Sequence, residues 1–152
     1  MDADVESTRA TQEQLFASAR VPMLRLAYLL TGAPAIAEEL VQDAFEQVVR
    51  RWDAIDQPNA YLRIAVVNGA RSWGRRRGRG TPVGRDEPWL DLTADALAVR
   101  TALARLRRPQ REAIVLRYYA GLTDTQIADA TGRPVGSVKA LIHRGLRKLE
   151  EE

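Results

Sequence analysis

The sequence predicts an all-α protein made of two small helical domains joined by a flexible linker. Three observations predict it. Apolar residues recur three and four apart through most of the 152 residues, the period of a single helix face. No run of alternating apolar and polar residues bounded by turns suggests a strand. Residues 78–93, GRGTPVGRDEPWLDLT, hold three Gly and two Pro without any period, which is linker chemistry.

The first helix is expected over residues 12–30, with Leu15, Phe16, Leu24, Leu26, Ala27 and Leu30 as its apolar positions. Pro22 is expected to kink or divide it, because proline lacks a backbone donor and clashes with the preceding turn. TGAP at 31–34 stops that helix and starts the next. The second helix, residues 35–52, repeats Ile36, Leu40, Ala44, Val48 and Trp52 at intervals of four. After a break at DAIDQPN a third helix runs over residues 59–76. Beyond the linker come a helix over 94–107, another over 109–120 with Pro109 in its first turn, and two short helices separated by TGRP.

Composition removes whole classes of function. The chain has no Cys, so disulfides, thiolate metal sites and cysteine nucleophiles do not exist. One His without Cys argues against a metal site. The N-terminal MDADVESTRATQEQ is acidic and polar, unlike a signal peptide, and no apolar run approaches the roughly 20 residues that span a bilayer. A cytoplasmic protein is expected.

Charge is unevenly placed. Residues 1–66 carry ten acids against six arginines, whereas residues 67–80 carry five arginines (Arg71, Arg75, Arg76, Arg77 and Arg79) and no acid. Two kinds of partner surface follow, one acidic and one basic.

The basic run closes the third helix. On a helical wheel Tyr61, Leu62, Ala65, Val66, Gly69 and Trp73 gather on one face, and Ile64, Asn68, Arg71 and Arg75 form the opposite stripe. Arginine forks bind phosphate bidentately and release its counterions, so this stripe reads as a clamp on nucleic acid. A membrane-surface or acidic-protein patch is the competing reading. The second helix is different: Glu39, Gln42, Asp43, Glu46 and Arg50 flank its apolar face. That mostly acidic strip repels DNA and suits a basic protein, although an ordinary solvated face has the same appearance.

Residues 121–149 read GLTDTQIADATGRPVGSVKALIHRGLRKL. Thr123 fits an N-cap, Thr131-Gly132 ends the helix, and Val138, Leu141, Ile142, Gly145, Leu146 and Leu149 share one face of the next. Gly136, Ser137, Lys139, Ala140, His143, Arg144 and Arg147 are left outside that face. Two short helices around a tight glycine turn, the second small and basic outside, match a helix-turn-helix DNA reader. The plainer reading is a helical hairpin with a solvated basic face.

Together, AEELVQDAFEQVVRRW, NAYLRIAVVNGARSWGRRRGR and RTALARLRRPQREAIVLRYYAGLTDTQIADATGRPVGSVKALIHRGLRKL resemble the extracytoplasmic-function class of bacterial RNA polymerase sigma factors, most of all its actinobacterial SigE-like group. The resemblance covers residues 12–150. It implies a region 2 bundle over 12–77, a linker over 78–93 and a region 4 helix-turn-helix over 94–152. It implies polymerase docking on the β′ clamp helices through Glu39, Gln42, Asp43 and Phe45, with Glu46 on the same strip, and a further contact of the protein with the β flap. It implies that the Asn68 helix and the loop before it recognise and melt the −10 promoter element. There Asn68 lies near the flipped base, Tyr61 and Trp73 are the aromatic candidates, and Ile64, Arg71, Arg75, Arg76 and Arg77 complete the surface. The last helix would read the −35 element with Lys139, Ala140, His143 and Arg144, beside Gly136, Ser137 and Arg147. Partners implied are core RNA polymerase, promoter DNA and an anti-sigma protein; no catalytic residue, cofactor, metal, small-molecule substrate or membrane is expected.

The chain departs from the family in carrying Ala140-Leu141 where many relatives have Ser-Arg. The extra C-terminal regulatory domain of some relatives is not expected. The alternative function is a stand-alone helix-turn-helix regulator whose N-terminal domain dimerises or senses a ligand. A nuclease or phosphotransferase would need metal-directed carboxylates or a phosphate-cradling loop, and GRRRGRG lacks the P-loop pattern.

Overall fold

The computed structural model describes residues 2–77, 87–91 and 93–151, with Arg77 described in its backbone alone. The chain divides into two compact units, Met1–Arg85 and Asp86–Glu152. All the regular structure among the described residues is helical.

The first unit is a bundle of α1 (Asp2–Thr31), α2 (Pro34–Arg50) and α3 (Pro58–Arg77), with a short 3-10 turn at Trp52–Ala54. Each helix packs on the other two. Leu24, Leu26 and Ala27 of α1, Val41, Ala44 and Val48 of α2, and Leu62, Val66 and Val67 of α3 form the core. The α1–α2 corner is built by short-range bonding. Thr31 Oγ1 donates to the Ala27 carbonyl at 2.8 Å and accepts from the Ala33 N–H at 3.3 Å. Gly32 takes the left-handed φ of 70° that reverses the chain, and Pro34 sits in the first turn of α2. Between α2 and α3 the close approach is at Gly69, where a Cβ would stand 2.9 Å from Leu40 Cδ2.

Two expectations for this unit are corrected. α1 begins ten residues before residue 12 and runs through Pro22 as one helix. Pro22 and Ser18 are both exposed, so water can bond the Ser18 carbonyl that the proline leaves without a donor. The early start is polar and makes no core contact; Asp2 and Asp4 in its first turn favour the helix dipole. α2 stops at Arg50, short of Trp52, which opens the 3-10 turn instead.

The second unit comprises α4 (Ala94–Ala104), α5 (Arg108–Ile114), α6 (Asp124–Thr131) and α7 (Val135–Glu150). Its core holds Leu103, Leu106, Ile114, Val115, Leu116, Leu122, Ile127, Val138 and Ile142. Thr93 caps α4 by accepting from the Ala96 N–H at 3.2 Å. The helix expected over 109–120 ends differently: α5 widens after Ile114 into a π-helical turn, Val115–Tyr119, closed by Ala120 N–H donating to the Val115 carbonyl at 3.0 Å. α4 likewise ends at Ala104, short of 107.

Of the linker expected over 78–93, residues 78–86 and 92 lie outside the described residues. Residues 87–91 form a turn in which the Leu90 N–H donates to the Glu87 carbonyl at 2.9 Å. Trp89, expected within the linker, is buried.

Candidate nucleic-acid and protein interfaces

The α6–turn–α7 element is shaped by its caps. Thr123 Oγ1 accepts from the Gln126 N–H at 3.1 Å while Gln126 Oε1 accepts from the Thr123 N–H at 2.9 Å, a complete capping box. Thr131 Oγ1 donates to the Ile127 carbonyl at 2.7 Å. Gly132, at φ 68°, closes α6 in the left-handed conformation. Arg117 ties this element to the helix before it: its Nη1 donates to the Leu122 carbonyl at 3.3 Å and its Nε lies 3.9 Å from Asp124 Oδ1. The sequence gives no sign of that link, since nothing in local spacing pairs residues 117 and 124.

On α7, Val138, Ile142 and Gly145 are buried while Gly136, Ser137, Lys139, His143, Arg144 and Arg147 are exposed. Ala140 is half-buried at the edge of the face. Lys139, His143, Arg144 and Arg147 make no ion pair among the described residues, and nothing lies within 4 Å of a Cβ built on Gly136. The face is therefore open, narrow and positive over its length, which suits a duplex groove.

α3 carries the second basic surface. Asn68, Arg75 and Arg76 are exposed; Tyr61, Ile64, Arg71 and Trp73 are half-buried. The side chain of Arg77 and all of Arg79 lie outside the described residues. The buried arc consists of Leu62, Val66, Val67, Ala70 and Gly74. It is turned from the expected arc because α3 packs on both α1 and α2. Tyr61, Ala65 and Trp73, expected on the apolar face, are half-buried at its margin. Trp73 Nε1 is buried without a hydrogen-bond partner, an unmet donor at the end of the helix that bears the arginines.

On α2, Glu39, Gln42, Asp43 and Glu46 are exposed, and the carboxylates of Glu39, Asp43 and Glu46 have no ion-pair partner among the described residues. Phe45 differs from its neighbours in the sequence-predicted docking set. It is only 7% exposed, and its ring lies 4.7 Å from that of Phe16, tilted by 51°. The structure makes Phe45 a core residue beneath the strip, because α2 is clasped by two helices and its buried arc reaches one residue past Ala44.

Beside the strip an open cleft of about 650 Å³ runs between α1 and α2. Leu24, Val41 and Phe45 form its floor, and Phe16 and Val49, both about half exposed, its walls. Glu38, Gln42 and Glu46 line one rim. Phe16 is thus a wall residue and not the core residue expected of it. Val49 falls outside the four-residue repeat of α2, which is the signal in the sequence that sets it apart.

Among the described residues no group of three or more His, Asp or Glu is placed to hold a metal ion. No helix there is long and apolar enough to cross a membrane.

Comparison with known proteins places both units. Residues 15–80 match the model of sigma-70 region 2, and residues 96–149 match that of sigma-70 region 4. The chain is 32% identical over 139 residues to the RNA polymerase sigma-E factor of Streptomyces coelicolor, covering 86% of this chain and 78% of that one. It is 31% identical over 142 residues to the ECF RNA polymerase sigma factor SigL of Mycobacterium tuberculosis, covering 82% and 78%. Among solved structures it is similar to the sigma factor RpoE bound to the anti-sigma factor NepR from Bartonella quintana, with a TM-score of 0.73 and 25% identity over 94% of this chain and 96% of that one. It is also similar to the extracytoplasmic-function sigma factor SigJ of M. tuberculosis, with a TM-score of 0.70 and 27% identity over 90% and 53%.

Proposed function

From the premise that the chain belongs to the sigma-70 family, in its extracytoplasmic-function class, we propose how its residues divide the work of that family. As a sigma factor it binds core RNA polymerase and promoter DNA and directs promoter-specific initiation of transcription. The division of labour by residue is our reading. Residues 12–77 dock on polymerase and open the −10 element, 78–93 connect, and 94–152 read the −35 element.

In this reading Glu39, Gln42, Asp43 and Glu46 meet basic residues of the polymerase clamp, and Phe45 holds α2 rigid beneath them. Unpaired carboxylates on a well-packed helix are pre-organised for such a partner and steer its approach. Asn68 and the arginines of α3 hold the DNA that melts. Capturing an unstacked base in a protein pocket offsets an unpairing cost of a few kcal/mol. Tyr61 and Trp73, both at the margin of the core, supply the aromatic surface. Lys139, Ala140, His143 and Arg144 face base edges, with Arg147 on phosphate. The protein makes and breaks no covalent bond in this scheme, needs no cofactor, and works in the cytoplasm where the polymerase is. We further propose that an anti-sigma protein controls it, as in the NepR complex of the similar RpoE.

The observation that carries this reading is the presence, in one chain, of a region 2 unit with an unpaired acidic strip and a region 4 unit with an unpaired basic face. A stand-alone regulator would not call for the former. The test is run-off transcription with purified core polymerase on genomic DNA. Core-dependent transcripts from defined positions are expected, whereas tight operator binding without core and no defined start would sink it.

A further inference from the structure

The crossing of α5 and α7 adds cations to those of the α7 face. A Cβ on Gly145 would stand 3.4 Å from Gln110 Cβ, so the start of α5 lies against the third turn of α7. Arg107, Arg108 and Arg111 fall within one turn of Gln110, and Arg144, Arg147 and Lys148 within one turn of Gly145. Glu112 is the one acid in those two stretches. All of the six except Arg111 are exposed. Arg111 is half-buried: its Nη2 donates to the Leu106 carbonyl at 3.3 Å, while its Nε is buried with no hydrogen-bond partner. Burial, and then the neighbouring Arg108, lower its pKa from the ordinary arginine value. The guanidinium is thus held where its charge is least welcome, and a nearby anion would relieve it.

We propose that Arg107 and Arg108, backed by Arg111, form a third DNA contact, gripping backbone phosphates of the duplex that flanks the element read by α7. The inference rests on α7 being the DNA-facing helix. Duplex phosphate is favoured over an acidic peptide by continuity. All but Arg111 are exposed, and they are spread over the two helices that meet at Gly145 and Gln110 with Glu112 the one acid among them, which suits an extended polyanion better than a single carboxylate. Such contacts carry no sequence information. They would set how firmly the second unit sits on its element and add to the salt dependence of binding.

The test uses holoenzyme reconstituted from the full chain and core polymerase on a promoter fragment extending a helical turn beyond the −35 element. Two variants are compared with wild type: Arg107→Ala with Arg108→Ala, and the charge-keeping Arg107→Lys with Arg108→Lys. In the alanine variant the slope of log affinity against log salt should fall by about one to two, at roughly 0.9 for each phosphate no longer neutralised. Phosphate-ethylation interference should vanish at one or two positions flanking the element, with the start site and core affinity unchanged. The lysine variant should keep the slope. An unchanged slope and ethylation pattern overturns the proposal. So does a loss of core affinity with the DNA pattern intact, which would assign the arginines to an acidic protein surface. Absence of any interference at the −35 element in wild-type holoenzyme would remove the α7 reading as well, and so is distinguishable from failure of the arginine contact alone.

Discussion

Gly145 of α7 and Ile114 of α5 approach so closely that a Cβ on the glycine would stand 2.5 Å from Ile114 Cδ1. This contact sets the spacing of α7 from α5. Glycine inside a helix costs roughly 1 kcal/mol against alanine, so the close approach has to be worth at least that. The atom in the way is a terminal methyl that can rotate, and the gain in helix propensity offsets the strain. Gly145→Ala should therefore lie within about 1 kcal/mol of wild type. Gly145→Val brings two γ-carbons against Ile114 and Gln110, and overpacking of that kind costs about 1–3 kcal/mol. Thermal unfolding should show little shift for the first and a clear drop for the second; equal melting temperatures would mean the helices separate freely.

Thr123 and Gln126 cap α6 reciprocally at 3.1 and 2.9 Å. Removing the hydroxyl in Thr123→Ala leaves the Gln126 N–H without its side-chain acceptor and should cost about 1 kcal/mol. Thr123→Ser keeps the acceptor and should restore most of it. Denaturant unfolding of the full chain reads both, and indistinguishable midpoints for Ala and Ser would show that the cap contributes nothing.

The acidic strip and the phenylalanine below it should separate cleanly by experiment. Replacing Glu39, Gln42 and Asp43 together by Ala should abolish association with core polymerase while leaving the helical circular-dichroism signal intact, since all three are exposed. Phe45→Ala instead removes a buried ring that packs on Phe16 and should cost about 3–5 kcal/mol of stability. Co-purification of the triple variant with core at the wild-type level would take the strip out of the interface.

The contrast between Phe45 and its exposed neighbours marks what the sequence makes legible. Spacing of four along α2, the TGAP corner, the capping residue Thr123 and the glycine turn at Gly132 are local features, and all are readable because each element's physics lies within a few residues. What escapes depends on distant packing. Phe45 is buried because α2 is clasped on two sides. The arc of α3 is turned because the helix packs on both α1 and α2. Trp89 is buried although its neighbours in the chain have the composition of a linker. The polar start of α1 has no periodic pattern to announce it; two first-turn aspartates favour its dipole.

The arginines of α3 give the sharpest test of the DNA-opening role. Arg75 and Arg76 are exposed and Arg71 half-buried, so their replacement leaves the buried arc of Leu62, Val66 and Val67 untouched. Arg71→Ala, Arg75→Ala and Arg76→Ala combined should lower promoter opening on every promoter tested, because phosphate contacts are indifferent to sequence. The salt slope of binding should flatten by about 0.9 for each phosphate released from an arginine, at most about three in all. Asn68→Ala should behave differently. It removes one neutral side chain, leaves the slope alone, and should weaken opening most on promoters whose −10 element supplies its preferred base. Permanganate reactivity of unpaired thymines measures both. Wild-type reactivity in the triple arginine variant at moderate salt would place the melting surface elsewhere on this unit, and a flattened slope in Asn68→Ala would mean that the asparagine acts through the backbone and not through a base.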